Sequence, residues 1–217
     1  MSGARERARL AGLHVLADDD PRWKWDPVEQ ARAACAGGAA VVQLRAKRAT
    51  DRQILAWAEP IREATSRSGA LFLVNDRFDL ALVAEADGVH LGQRDLPPGR
   101  IPRALRERLL VGRSTHDRQE LIRAQQEPID YVAFGPVFET TSKDRPAPPR
   151  GLQRLREAVA LAAGRPLVAI GGIRPAQVPA LRAAGAAGVA VISAVAGAED
   201  PEASTRALVA ALAEPRA

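Results

Sequence analysis

LFLVNDRFDLALVAEADGVHLGQRD, residues 71–95, decides the fold. Leu71, Phe72, Leu73 and Val74 form a short apolar run that reads as a buried strand, and it ends in Asn75-Asp76-Arg77. Phe78, Ala81 and Leu82 then recur at helical spacing and give one apolar stripe. Asp87-Gly88 turns the chain into Val89-His90-Leu91, a second strand that ends in Gly92-Gln93-Arg94-Asp95. This is a strand–helix–strand unit with polar residues after the C-terminal end of each strand. A parallel crossover brings both ends to the same side of the sheet, so Asp76 and Asp95 are expected to be neighbours in space.

The alternation continues outward in both directions. Upstream, strands are predicted over 13–17, ending at Asp18-Asp19-Asp20, and over 40–44, followed by Arg45-Ala46-Lys47. Pro27 suits a first helical position, and that helix runs to Gly37-Gly38. Thr50 or Asp51 caps a second helix to about Arg67, with Pro60 predicting a kink or a broken start. Downstream, helices are predicted over 98–108, 117–126, 151–163, 175–183 and 201–213, and strands over 109–112, 131–134, 166–170 and 188–192. The segment 135–149, rich in proline and poor in apolar residues, reads as a mobile lid. Trp23 and Trp25 read as a cover over the barrel. Eight strand–helix units in about 200 residues, with strands that are nearly continuous apolar runs, predict a single-domain α/β protein: a closed (β/α)8 TIM barrel. An open doubly wound sheet is the alternative, but strand one lacks the Gly-rich dinucleotide turn of that fold. Residues 1–10 read as a loosely ordered extension of a 1–217 domain.

Composition narrows the function classes. The 217 residues are 47% hydrophobic with a net charge of +5, and the basic excess is spread as Arg along helices. With 4% aromatics and no basic run interleaved with them, no nucleic-acid partner is expected, whereas phosphorylated small molecules suit the charge. Cys35 is the one cysteine, which excludes disulfides and a cysteine zinc site. No run is long enough to span a membrane, and MSGARERARL is followed by no apolar signal core, so a cytoplasmic protein is expected, with homo-oligomerisation left open.

In such barrels the active site lies at the C-terminal ends of the strands. The polar residues there suggest three chemistries. Gly171-Gly172 with Ser193 would bind a phosphate, or form a plain tight turn. Asp76 and Asp95 would bind Mg2+ together with substrate oxygens; alone, the first reads as a helix N-cap and the second as a turn residue. Arg45, Lys47 and Lys143 would surround a second, larger anion, or be three surface cations. His90 reads as a core or ligand-side group and His116 as a proton shuttle or a cap, while Glu139 lies in the lid loop.

VVQLRAK (41–47), NDR (75–77), DGVHLGQRD (87–95), STH (114–116), FGPVFETTSK (134–143), VAIGGI (168–173) and VIS (191–193) together resemble the thiamine-phosphate synthase family, over essentially the whole chain. The resemblance implies a Mg2+-assisted transferase that joins a pyrimidinylmethyl diphosphate to a thiazole phosphate, releasing diphosphate. It implies that Gln43, Leu44, Arg45, Ala46, Lys47, Asn75, Ser114 and Lys143 hold the pyrimidine diphosphate, with Arg45, Lys47, Ser114 and Lys143 acting in catalysis. Thr140, Thr141, Ser142, Gly172, Ile192 and Ser193 match the thiazole-phosphate site, and Asp76 and Asp95 the Mg2+ ligands. The chain departs from the family pattern in LHVLADDD, in Glu139 where proline is common, and in Ser142 where threonine is common. GRSTH and FETTSK also resemble the thiazole tautomerases, a sister branch with a histidine at the position of His116. That branch typically lacks the QLRxK, NDR and GQxD set kept here. A regulatory barrel without activity ranks third.

Overall fold

The computed structural model describes residues 10–142 and 148–214. Eight parallel strands close into one barrel in sequence order: β1 (Gly12–Asp18), β2 (Val41–Arg45), β3 (Leu71–Asn75), β4 (Gly88–Leu91), β5 (Leu110–Thr115), β6 (Tyr131–Phe134), β7 (Leu167–Ile170) and β8 (Gly188–Val191). The helices between and after them are α1 (Pro27–Ala36), α2 (Asp51–Ser68), α3 (Phe78–Val83), α4 (Arg103–Arg106), α5 (Arg118–Gln125), α6 (Gly151–Leu161), α7 (Val178–Ala183), α8 (Ser193–Ala196) and α9 (Pro201–Ala213). No helix among the described residues is long and apolar enough to cross a membrane.

Local chemistry explains most boundaries. Asp26 caps α1 through the amides of Val28 and Glu29, with Glu29 reaching back in a capping box. Thr50 caps α2, and Gly69 ends it in the left-handed conformation at φ 77°. Pro60 lies within α2, which starts at Asp51 without a break. The helix expected over 98–108 does not form as one piece. A 3-10 turn covers Pro98–Arg100, Ile101 is extended, and α4 spans Arg103–Arg106. Pro102 disfavours helical geometry at Ile101 and lacks the N–H needed to continue the turn. Leu10, expected in a loose extension, is fully buried inside the barrel, and its carbonyl accepts from His14 Nε2 at 2.8 Å. Residues 1–9 lie outside the described part.

Side chains alternate between two cores, as the two-residue period of a strand demands. On β2, Val42 and Leu44 join the layer between sheet and helices, while Val41 packs inside the barrel with Leu16, Leu71, Leu73, Leu110, Tyr131 and Val168. Each interior column therefore ends in one residue at the C-terminal mouth. These are Asp18, Arg45 and Asn75 on the first three strands, with Ser114 on β5. This parity delivers the polar side chains to one place.

Tyr131 is the largest fully buried side chain and lies across the barrel. It fits because Gly112 faces it: a Cβ there would stand 2.2 Å from Tyr131 Cζ. We expect Gly112→Ala to destabilise the fold by about 1–3 kcal/mol, since overpacking must displace the ring. A denaturant midpoint equal to that of the parent chain would show that the ring is not wedged.

Candidate active site

Two pockets that share a wall open at the mouth, and a third, about 770 Å³, adjoins the narrower of them and is lined by Glu139, Thr140, Thr141, Gly172 and Ser193, among others. The broader, about 580 Å³, is lined by Arg45, Lys47, Asn75, Asp76, Asp95 and Ser114, among others. The narrower, about 130 Å³, lies under the ends of β6, β7 and β8 and is lined by Thr140, Ser142, Gly172, Ile192 and Ser193. Ser114, His116 and Ser142 line both, so the two pockets share a wall.

In the broader pocket, Asp76 holds a left-handed backbone at φ 68°. It does not cap α3: the cap position is Arg77, which makes no side-chain cap bond. Aspartate tolerates this conformation better than most residues. Lys47 Nζ pairs with Asp76 Oδ2. Asp95 Oδ2 accepts from the Gly92 amide at 2.6 Å, so the turn role also holds for this residue. Burial pushes the Asp95 carboxyl up, the neighbouring Asp76 carboxylate pushes it further, and the Gly92 amide and Lys47 oppose both. A carboxylate raised by its neighbour lies close to it, so Asp76 and Asp95 are neighbours as the crossover argument expects. No third histidine, cysteine or carboxylate joins them among the described residues. Such a pair suits a hard cation that keeps substrate oxygens and waters, and not zinc.

Gln43 sits one layer below Arg45 on the same strand face. Its Oε1 is buried without a hydrogen-bond partner among the described residues. A buried acceptor left open is costly unless a ligand fills it. Leu44 is buried in the outer layer and Ala46 packs against that layer. Neither lines the two pockets, so of the expected 43–47 stretch only the alternate residues turn inward.

His90 lies between two hydroxyls. Its Nε2 is 2.8 Å from Ser114 Oγ and its Nδ1 2.8 Å from Tyr131 OH. Burial and the nearby Asp130 charge push the Tyr131 phenol up, so it stays protonated. Burial pushes His14, beneath it, down to about 4 against the pull of the Leu10 carbonyl. His90 is thus a buried support for Ser114. His116 faces both pockets, and Glu120 Oε2 accepts from its amide and contacts Nδ1, at 2.7 and 2.8 Å.

The narrower pocket owes its shape to glycine. Gly171 and Gly172 have φ of 104° and 65°, and a Cβ on Gly172 would lie 2.1 Å from the Glu139 carbonyl oxygen. The loop after β6 runs along this turn: Val137 N donates to Ile170 O and Phe138 N to Gly171 O, at 2.8 and 3.1 Å. Val137 is buried. The start of the expected lid is therefore pinned to β7. Thr141 is exposed and lines the adjoining pocket together with Thr140, Gly172 and Ser193, and its carbonyl accepts from Arg22 at 2.8 Å. Lys143 lies outside the described residues.

Sequence reasoning missed Asp18, which pairs with Arg45, and Asp19 beside it. It also missed the Tyr131 support. The topmost interior position of β1 was the available signal for Asp18.

The profile described as thiamine monophosphate synthase matches residues 13–195. A thiamine-phosphate synthase of Anaeromyxobacter dehalogenans (strain 2CP-C) is 50% identical over 215 residues, covering 99% of this chain and 93% of the relative. One from Methanoculleus marisnigri (strain ATCC 35101 / DSM 1498 / JR1) is 48% identical over 196 residues, covering 90% and 92%. The solved thiamine phosphate pyrophosphorylase from Pyrococcus furiosus superposes with a TM-score of 0.85 at 37% identity, covering 95% and 97%. A 3-hexulose-6-phosphate synthase, at 19% identity and a TM-score of 0.66, shares the fold alone. Matched across nearly its whole length in sequence and in structure, the chain belongs to the thiamine monophosphate synthase family.

Proposed function

We propose that the chain is a thiamine-phosphate synthase: it condenses the diphosphate ester of an aminopyrimidinylmethyl alcohol with a thiazole carrying a phosphooxyethyl arm. One observation carries this reading. A cation-rich pocket with a paired carboxylate and a narrow glycine-walled pocket share Ser114, His116 and Ser142. Two anionic substrates seated there would have their reacting ends meet at the shared wall.

The bond from the methylene carbon to the diphosphate oxygen breaks, and its electron pair leaves with the diphosphate. The aminopyrimidine ring stabilises the carbocation that remains, and the thiazole nitrogen lone pair closes the new C–N bond. Arg45 and Lys47 face the leaving group as preorganised positive charge, the kind of term that contributes most to such ionisations. Asp76 and Asp95 would hold Mg2+, which when bound supplies further charge stabilisation to the diphosphate. Gln43, Asn75 and Ser114 would orient the pyrimidine, with His90 holding the Ser114 hydroxyl. Gly172, Ile192, Ser193, Thr140 and Ser142 would seat the thiazole phosphate, with Thr141 beside Thr140, Gly172 and Ser193 in the adjoining pocket. Lys143 is assigned to the diphosphate by resemblance alone.

No step needs a strong base, which separates this reaction from the tautomerase reading. We expect His116→Ala to retain synthase turnover within about tenfold, roughly 1.4 kcal/mol of barrier. Steady-state rates of thiamine phosphate formation decide it. A loss of thousands-fold, with rapid isomerisation of the thiazole carboxylate tautomer by the parent chain, would favour the sister activity.

A further inference from the structure

We propose that Asp19 is a positioning residue that presets the loop after β2 to receive a diphosphate, with Asp18 performing the same task for the Arg45 side chain. The inference rests on the synthase reading above.

Asp19 Oδ1 accepts from the Lys47 amide at 2.9 Å, and Oδ2 accepts from the amides of Arg48 and Ala49 at 2.8 and 2.9 Å. The Asp19 amide donates in turn to the Arg45 carbonyl at 3.2 Å. Three successive amides aimed at one point form an anion-binding nest, the kind of backbone concavity that attracts phosphate. Here the chain's own carboxylate fills it. Two oxygens are needed to satisfy three donors, which explains an aspartate at this position where a hydroxyl would leave donors open.

Two consequences follow. The backbone of Lys47 is fixed, and its ammonium is aimed at Asp76, beside Asp95. The incoming diphosphate also meets side-chain charge and not a competing backbone site.

Asp18 completes the platform from the strand end. Its side chain is fully buried and pairs with Arg45. Its Oδ1 accepts from Trp23 Nε1 at 2.8 Å and from the Asp20 amide at 3.1 Å. Gln30 clamps the Asp18 backbone from α1, donating to its carbonyl and accepting from its amide, both at 2.9 Å. The Arg45 guanidinium and the Lys47 backbone are thus each held by a separate acid of one strand end, while the Lys47 ammonium pairs with Asp76 after β3. Asp19 is not a metal ligand in this arrangement, because no third carboxylate joins Asp76 and Asp95 among the described residues.

The test uses the full chain with Asp19→Ala and Asp19→Asn. Calorimetry measures binding of inorganic diphosphate with Mg2+, and steady-state kinetics measure KM for each substrate separately. Asp19→Ala is expected to lose about tenfold in diphosphate affinity and to raise KM for the pyrimidine diphosphate by a similar factor, the effect of losing charge-assisted bonds. KM for the thiazole phosphate stays within about twofold, because that pocket shares no element with the platform. Asp19→Asn, which keeps one acceptor oxygen, falls between parent and alanine variant. Unchanged diphosphate affinity in either folded variant overturns the proposal, as does an equal rise in both KM values, which marks a general structural role. A parent chain that binds no diphosphate would instead overturn the synthase reading itself.

Discussion

Asp95→Ala lowers thiamine phosphate formation by about a thousandfold, or about 4 kcal/mol of barrier, at any Mg2+ concentration that the parent enzyme saturates. On the proposed assignment the carboxylate is one of two acids that would hold Mg2+ in the broad pocket among the described residues, so its loss would leave a single ligand. The fold should tolerate the change. Asp95 is held up the titration scale by burial and by Asp76, so its ionised form is disfavoured before any cation arrives. Alanine removes that repulsion together with the Gly92 bond, and metal-free stability is expected to move by no more than about 1 kcal/mol. Asp95 is a cleaner target than Asp76, where alanine would also meet the left-handed backbone at φ 68°. For Asp76, asparagine is the better substitution because it tolerates that conformation. Turnover across a Mg2+ titration, alongside thermal melting without metal, separates the two effects. Near-normal turnover in the folded variant would remove Mg2+ from this pair.

Gly172→Ala reduces affinity for the thiazole phosphate by about a hundredfold, roughly 2.7 kcal/mol, while diphosphate affinity changes little. Two separate obstacles act at this residue. The backbone sits at φ 65°, and a Cβ would lie 2.1 Å from the Glu139 carbonyl oxygen, which backbone motion alone can relieve. Relief means moving the 136–139 segment away from β7, and that segment carries Pro136 and leads into Thr140, both of which line the narrow pocket. Gly164→Ala is the control: its φ is 83°, with nothing within 4 Å of the added carbon. It bears backbone strain only, about 1–2 kcal/mol of stability, and should leave both affinities intact. Equilibrium binding of each ligand to the two variants distinguishes strain from collapse of the pocket. Equal losses in both variants would mean that the close approach to Glu139 is irrelevant to phosphate binding.

The barrel was legible because its signal is periodic and repeated. Strand runs such as 71–74 and 131–134 return nearly to the residue as β3 and β6. Period two also carried more information than was drawn from it. It puts Gln43 and Arg45 inside and Leu44 outside, so a motif matched as a contiguous stretch overstates its ligand contacts. The break in the helix after β4 was written in Pro102, which outweighed a favourable apolar pattern. The site's supports were hidden for a different reason. Tyr131, Asp18 and Asp19 act through partners far away in sequence: Tyr131 on His90, Asp18 on Arg45, and Asp19 on the 47–49 amides. No local pattern encodes such pairs. The loop after β6 looked mobile because it has few apolar residues, yet its first turn is anchored by backbone bonds to β7, which composition does not reveal.

The most direct test of the two-pocket reading incubates the purified chain with both substrates and Mg2+ and follows products with time. Thiamine phosphate and diphosphate should appear in equal amounts, and omission of either substrate should abolish the thiamine product. Absence of thiamine phosphate, with interconversion of thiazole tautomers in its place, would contradict the synthase and leave the sister activity on this barrel.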